Sequence, residues 1–440
     1  MTQTPWTLLL WSLLAISSLL RGQPLPLRFL EYESLENLDC TSYPSQMMLR
    51  HQVGPFYKLP KNPVFRPSRS GWDRQDVADP LVWVTPSRIQ MFYDGSAGEQ
   101  YRIGVAVLDS TGWFWERPSA PLPVDSREGW DDYHVIAPFV MNQEGELILY
   151  YSGNGRDGEL GYRLGRAVQR GTGWETVPPR PLHQPEAGEW DRAGCSYASV
   201  IYDPMRGRYR MYYSGFRGVS ASIGLLESAD GEHWVPWEKN PVLAIPPGVI
   251  APFVLFDGRY YWMYYVQLEV SRGFRTSIYR VRSEDGVSWR APEMILTPEA
   301  RWEGNRLMRP AIAFFDQRVH LFYGAQRGSR WRIGEAVATV RFQRQGTWRS
   351  RALNKTISHV RIVYQLPRGT ALELQYLDAR GNHRVPLNEG KTHPAFRKDI
   401  RVQFVPLPQE GLVPPYRLEL HFRTSRPDRT PVVYQVVLIP

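Results

Sequence analysis

Asp79 sits in Val77-Ala78-Asp79-Pro80-Leu81, where a short apolar strand opens. It is the only carboxylate at the head of five such strands along the chain. Asp76 lies three residues earlier, at the lip of the same strand, and Asp132 and Glu303 precede the second and fifth strands. One protonated and one ionised carboxyl group can divide acid and base work between them. Cleavage of a glycosidic bond with inversion needs them roughly 6.5–9.5 Å apart, with water in the gap. Other residue types suited to a polyhydroxylated ligand fall nearby. His134 and Tyr197 can bond hydroxyls, Trp72 offers a flat face for a sugar ring, and Arg306 and Arg309 offer forks for carboxylate or phosphate. Each also has a plainer reading. An Asp before Pro bonds local backbone amides, and the arginines can pair with Asp76 or Asp79.

These residues are carried by a fivefold repeat. A strand ending in an aromatic doublet recurs as Met91-Phe92-Tyr93, Leu149-Tyr150-Tyr151, Met211-Tyr212-Tyr213, Met263-Tyr264-Tyr265 and Leu321-Phe322-Tyr323, at spacings of 58, 62, 52 and 58 residues. Before each comes an opening strand: Ala78-Asp79-Pro80, Ala137-Pro138, Ala198-Ser199, Ala251-Pro252 and Arg309-Pro310. After it comes a third strand carrying Ile103-Gly104, Leu164-Gly165, Ile223-Gly224, Ile278-Tyr279 or Ile333-Gly334. Asp230-Gly231 and Asp285-Gly286 then mark tight turns before Trp234 and Trp289. Four antiparallel strands per repeat predict a five-bladed β-propeller over residues 62–340, with the opening strands innermost. In this register Asp76 matches His134, Cys195, Gly248 and Arg306, five different residues at one place, which suits a pocket rim. Trp72-Asp73, Trp130-Asp131, Trp190-Asp191 and Trp302-Glu303 recur before four of the blades, and such recurrence favours a structural wedge over catalysis. Asp132 has no counterpart in the other repeats.

Residues 23–61 read as an irregular lead-in. From 356 to 440 alternating apolar segments such as Val360–Tyr364 and Tyr416–Phe422 predict a small β-sandwich accessory domain, which could bind glycan or buttress the propeller. At the other end, Trp6–Leu20 is an apolar run of signal-peptide length, so residues 1–22 are expected to be a signal peptide or membrane anchor. Export to a periplasmic, extracellular or envelope-anchored location follows as an expectation. Cys40 and Cys195 are far apart and allow one disulfide in an oxidising compartment.

Of 440 residues 42% are hydrophobic and 13% aromatic, with 16 Trp and 24 Tyr, enough for a large β core. The net charge of +9 comes from scattered residues, 53 Lys+Arg against 44 Asp+Glu, with no basic block of the kind that grips nucleic acid. An acidic polysaccharide remains compatible with this charge. No phosphate-binding loop, dinucleotide fingerprint, nucleophile elbow or metal-ligand cluster is present, so no cofactor and no metal is expected.

At these residues the chain resembles the five-bladed propeller glycosidases: glycoside hydrolase family 43, the invertases and levansucrases, and the mannoside phosphorylases. The resemblance spans roughly residues 62–338. It implies that Asp79, in the family 43 Asp-Pro of the first blade, is a general base. Ala137-Pro138 matches the Ala-Pro of the second blade. The third blade of that family carries another Asp, and this chain has Ala198-Ser199 there. The fourth carries Glu-Ala-Pro, whose Glu is the acid; here it reads Ile250-Ala251-Pro252. Ile250 cannot donate a proton, which leaves Asp132, Asp76 and Glu303 as candidate acids. The expectation is an exported, carbohydrate-active protein of glycoside hydrolase type acting on a poly- or oligosaccharide. The alternatives are a glycan-binding propeller without catalysis and a scaffold in polysaccharide assembly or export.

Overall fold

The chain is built almost wholly of β-strands, with one three-residue 3-10 turn at Arg301–Glu303 among the described residues. The computed structural model describes residues 25–26, 32–43 and 46–439, except 113, 119, 125–128, 144, 157–160, 271–272, 355–356, 379–380 and 408–415. The expected signal peptide or anchor at 1–22 lies outside the described residues. The chain divides into two compact units, one of residues 41–44 and 52–341, the other of residues 1–40, 45–51 and 342–440.

The larger unit is a five-bladed propeller. Blade 1 is Asp76–Val84, Ile89–Ser96, Tyr101–Leu108 and Trp115–Glu116. Blade 2 is His134–Gln143, Glu146–Asn154, Arg163–Arg170 and Gly173–Thr176, and blade 3 is Gly194–Asp203, Arg208–Arg217, Ser220–Ser228 and Val235–Pro236. Blade 4 is Val249–Phe256, Tyr261–Glu269, Arg275–Ser283 and Arg290–Leu296. Blade 5 is Arg306–Phe315, Arg318–Arg327 and Arg330–Phe342, and its fourth strand is His51–Lys58. The stretch read as an irregular lead-in thus supplies an outer strand, and hydrogen bonds between the two ends of the propeller segment close the ring. Inner strands touch in cyclic order from blade 1 round to blade 5 and back.

Each residue of the aromatic doublet has its own task. The first meets the next blade: Tyr150 Oη donates to the Gly231 carbonyl at 3.1 Å and Tyr212 Oη to that of Gly286 at 2.9 Å. Aromatic rings of the following outer strands or turns stand edge-on to it, as in Tyr150–Trp234 and Tyr212–Trp289. Phe56 does this for Tyr264, and Trp115 closes the ring against Phe322 at 6.0 Å between centroids. The second residue serves its own blade. Tyr93, Tyr151, Tyr213 and Tyr323 donate to Asp73, Asp131, Asp191 and Glu303 at 2.6–2.9 Å. The partner tryptophans pack against these same tyrosine rings. Glycine makes room: a Cβ on Gly104 would meet Trp72 at 2.5 Å, and one on Gly224 would meet Trp190 at 2.6 Å.

The smaller unit is a β-sandwich drawn from both ends of the chain. One sheet contains Leu38–Asp39, Met47–Leu49, His359–Gln365, Ile400–Pro406 and Val432–Ile439. The other contains Tyr32–Glu36, Gln345–Ser350, Thr370–Asp378, Gly381–Pro386 and Leu418–Thr424. Trp348, Val360, Ile362, Leu372, Leu420, Phe422 and Val436 are buried in it. Burial alternates along Gln345–Ser350 and Leu418–Thr424, whereas Met47–Leu49 and most of Val432–Ile439 are buried on both faces.

Candidate active site at the propeller axis

Every inner strand breaks register near its start, between residues 78 and 81, 136 and 139, 196 and 199, 250 and 253, and 308 and 311. At each bulge one non-glycine residue takes a left-handed conformation: Asp79 (φ 47°), Ala137 (55°), Tyr197 (60°), Ala251 (54°) and Arg309 (44°). Such backbone costs on the order of 1 kcal/mol each and persists only where surroundings enforce it. The enforcing bond comes from the previous blade, from the residue directly after its aromatic doublet. Asp94 accepts the Ala137 N–H at 3.0 Å, Ser152 that of Tyr197 at 3.1 Å, and Ser214 that of Ala251 at 2.8 Å. Blades 4 and 5 have Val266 and Gly324 at this place, which offer no acceptor.

This geometry corrects the register of blade 3. Tyr197, not Ala198, is the equivalent of Asp79, and Gly194, not Cys195, is the equivalent of Asp76. Cys195 aligns with Val77, Val135 and Val249. It is a buried free thiol, as is Cys40.

Three charged side chains meet at the axis. Asp79, Asp94 and Arg309 are 6%, 1% and 0% exposed. Asp79 and Asp94 share a side-chain hydrogen bond, and Arg309 lies within electrostatic reach of both. Burial pushes both carboxyl groups up, Asp94 the more strongly because Asp79 lies beside it. The bond from Asp94 and the charge of Arg309 work the other way on Asp79. A buried carboxyl pair of this kind keeps one proton between its two members. With Arg309 cationic the cluster is neutral overall, the cheapest charge state for a buried site. Arg309 Nη2 also donates to the Pro138 and Ala198 carbonyls at 3.1 and 3.0 Å, tying blade 5 to blades 2 and 3. Its guanidinium stands 5.6 Å from the Tyr197 ring. The Tyr197 hydroxyl is pushed well up by burial and by Asp79, so it stays a donor.

A cavity of about 340 Å³ between blades 2 and 3 is lined by Ile136, Tyr162, Gly194, Ser196, Tyr197 and Phe216, and of the five bulge residues Tyr197 is the one that lines it. The other predicted site residues lie around the mouth or away from it. Asp76 is buried at the lip, accepting from Tyr101 Oη at 2.9 Å and from the Trp331 N–H at 2.8 Å. His134 is half-buried, accepts the Tyr101 N–H at 3.1 Å and packs against Tyr162, and burial lowers its pKa. Arg306 is exposed and bonds Gln326 at 2.9 Å, apart from the axial cluster. Asp132 is exposed and accepts the Arg156 N–H at 3.2 Å. Glu303 is buried under Lys58, Tyr323 and the amides of Glu299 and Ala300. Against the effect of burial, these bonds hold its carboxyl below the usual range, so it serves the Trp-acid wedge and not proton transfer. Trp72 is likewise packed on Tyr93 and between glycines, not open for sugar stacking. Ile250 pairs with Val266, so blade 4 brings no carboxylate to its opening.

Asp94 is the site residue that sequence reasoning did not single out. Its signal was the position after each doublet, which reads Asp94, Ser152, Ser214, Val266 and Gly324. For metals, His183, Asp191 and Cys195 place ligand atoms within 4.8 Å of one another. Asp191 is the wedge acid of blade 3, already taken by His183 at 2.9 Å and Tyr213 at 2.7 Å. In blades 1 and 5 Arg117 and Lys58 fill the place of His183, so the cluster is a hydrogen-bonded staple.

Comparison with solved structures places the architecture. A glycoside hydrolase aligns with a TM-score of 0.55 at 18% identity, over 64% of this chain and 92% of the other. The fold is that of the propeller glycoside hydrolases. A glycosyl hydrolase from Bacteroides ovatus aligns at 0.52 and 16% identity, over 65% of this chain and 94% of its own. A member of the mannoside phosphorylase family GH130, which contains glycoside hydrolases that target β-1,2 mannosidic linkages in Candida mannan, aligns at 0.51 and 16% identity, over 65% and 94%. In sequence, the uncharacterized protein Rv1502 of Mycobacterium tuberculosis is 26% identical over 304 residues, covering 62% of this chain and 96% of the relative. No family model matches the chain.

Proposed function

We propose that the protein is a carbohydrate-active enzyme of glycoside hydrolase type that acts on an oligosaccharide at the axial mouth, with Asp79 as general base. The observation that carries this reading is the buried carboxyl pair of Asp79 and Asp94 at the axis, with the Arg309 guanidinium buried beside it. Burial raises the pKa of the Asp79 carboxyl, and the bond shared with Asp94 and the charge of Arg309 offset part of that rise. A buried carboxylate of raised basicity suits removal of a proton from an attacking water. Asp76 is the acid candidate nearest in sequence, and its Tyr101 and Trp331 bonds hold it at the lip. Export is part of the proposal, supported by the apolar run at residues 6–20.

Asp79→Asn tests the proposal. The substituted amide oxygen can still accept from Asp94, so the fold should survive while release of sugar from a panel of oligosaccharides falls. One observation favours a second reading, a glycan-binding propeller without catalysis: Ile250 and Val266 leave blade 4 without a carboxylate. In that case neither protein releases sugar and both bind it.

A further inference from the structure

We propose that the blade 5 rim of the mouth is an anionic subsite, built from Arg66, Arg327, Arg330 and Arg332, that selects oligosaccharides bearing carboxylate groups. This rests on the carbohydrate-active reading above and names the substrate class of the same site.

Strand register brings the four arginines together. Arg327 and Arg330 pair directly across the turn that joins the second and third strands of blade 5. Arg332 follows two residues on, so it shares a face with Arg330. Phe65 and Ile333 exchange backbone bonds of 3.1 and 2.9 Å in an antiparallel bridge, which sets Arg66 opposite Arg332. The turn stands at the mouth end of the blade, because Arg306, the first residue of the inner strand, pairs with Gln326. The adjoining Trp331 donates its N–H to Asp76 on the lip of blade 1. Arg306 adds a fifth guanidinium at this edge through its bond to Gln326.

Like charges placed directly opposite on neighbouring strands destabilise a sheet. Among the described residues none of the four belongs to an ion pair, and Asp76, the carboxylate that acts on Arg332, is already bonded to Tyr101 and Trp331. Arg332 registers the crowding: burial and the charges of Arg330, Arg66 and Arg327 lower its guanidinium pKa. The corresponding turns of blades 1 and 3 are not built this way. Blade 3 uses Arg217-Gly218-Val219-Ser220 and blade 1 uses Ala97-Gly98-Glu99-Gln100. Guanidinium forks match the planar, two-oxygen geometry of a carboxylate, and a saccharide reaching from the mouth over this rim would set a uronate against them.

The test is binding of the full chain to tetra- to hexasaccharides of polygalacturonate, alginate and hyaluronan, each beside its carboxyl-reduced, neutral counterpart. The proposal expects at least one acidic form to bind about tenfold or more tighter than its neutral counterpart. That preference should weaken as salt rises from about 50 to 300 mM. It should be lost in Arg330→Gln/Arg332→Gln while the thermal unfolding temperature does not fall, and rises if the charge crowding is relieved. Equal binding of acidic and neutral forms, or an unchanged preference in the double variant, overturns it and leaves the carbohydrate reading standing. Inorganic phosphate bound by wild type and lost in the double variant, with no uronate bound, overturns the carboxylate assignment in favour of phosphate. Failure of every saccharide, acidic and neutral, overturns the carbohydrate reading and this inference together.

Discussion

Asp94 shares a hydrogen bond with Asp79 at the propeller axis, and the same Asp94 accepts the backbone N–H of the strained Ala137 in the next blade. Ser152 and Ser214 perform only the second task in blades 2 and 3. Blade 1 has thus turned a repeated structural bond into a carboxyl pair.

Asp94→Ser separates the two tasks. The variant should fold, since serine caps the same amide in two other blades. Its pH dependence should change in a definite direction. Burial and Asp79 hold the folded-state pKa of Asp94 well above its unfolded value near 3.9. The stability tied to this proton is present below about pH 4 and is lost as pH rises through the raised folded value. Wild type should therefore lose up to about 1.4 kcal/mol per pH unit over that window from this group. The slope should be shallower in Asp94→Ser, as read from urea unfolding at a series of pH values.

Arg309→Met leaves the Asp79–Asp94 pair buried without its cation. Arg309 acts on the pair through its charge and not through a direct ion pair, so the cost should stay below the about 3–5 kcal/mol of a broken buried ion pair. The same change made in Asp79→Asn should cost clearly less, because no charge is left unpaired. A double-mutant cycle by urea unfolding measures the difference, and additive effects would mean that Arg309 does not stabilise the carboxylate.

The Trp-acid wedges can be tested in blade 3. Tyr213→Phe removes a 2.7 Å bond to the buried Asp191 and should cost about 1–3 kcal/mol. Gly224→Ala drives a Cβ to within 2.6 Å of the Trp190 ring and should cost a similar amount through overpacking. Thermal unfolding of both variants, beside the exposed Val219→Ala as a control, checks this.

What was readable in the sequence follows from what repeats. The aromatic doublets and Trp-acid pairs do the same job in blade after blade, so the same residue types return at blade-length intervals and give the blade count. The outer strand His51–Lys58 lies ahead of the first repeat and has no repeat pattern of its own, so its membership in blade 5 emerges only from pairing. Blade 3 lacks the proline that marks the other openings, and Ala198 imitates Ala137 one residue late. Asp94 escaped notice because its position tolerates Asp, Ser, Val or Gly, and only its neighbour across the bulge makes it chemical. Glu303 and Trp72 had the right types for a sugar site, but the wedge that recurs around the ring had already claimed them.

Release of reducing sugar from an oligosaccharide panel by wild type, Asp79→Asn and Asp132→Asn tests the central claim most directly. Asp79 as general base predicts a loss of about 100-fold or more in Asp79→Asn, with unfolding unchanged and Asp132→Asn close to wild type. Equal release by wild type and Asp79→Asn would contradict it.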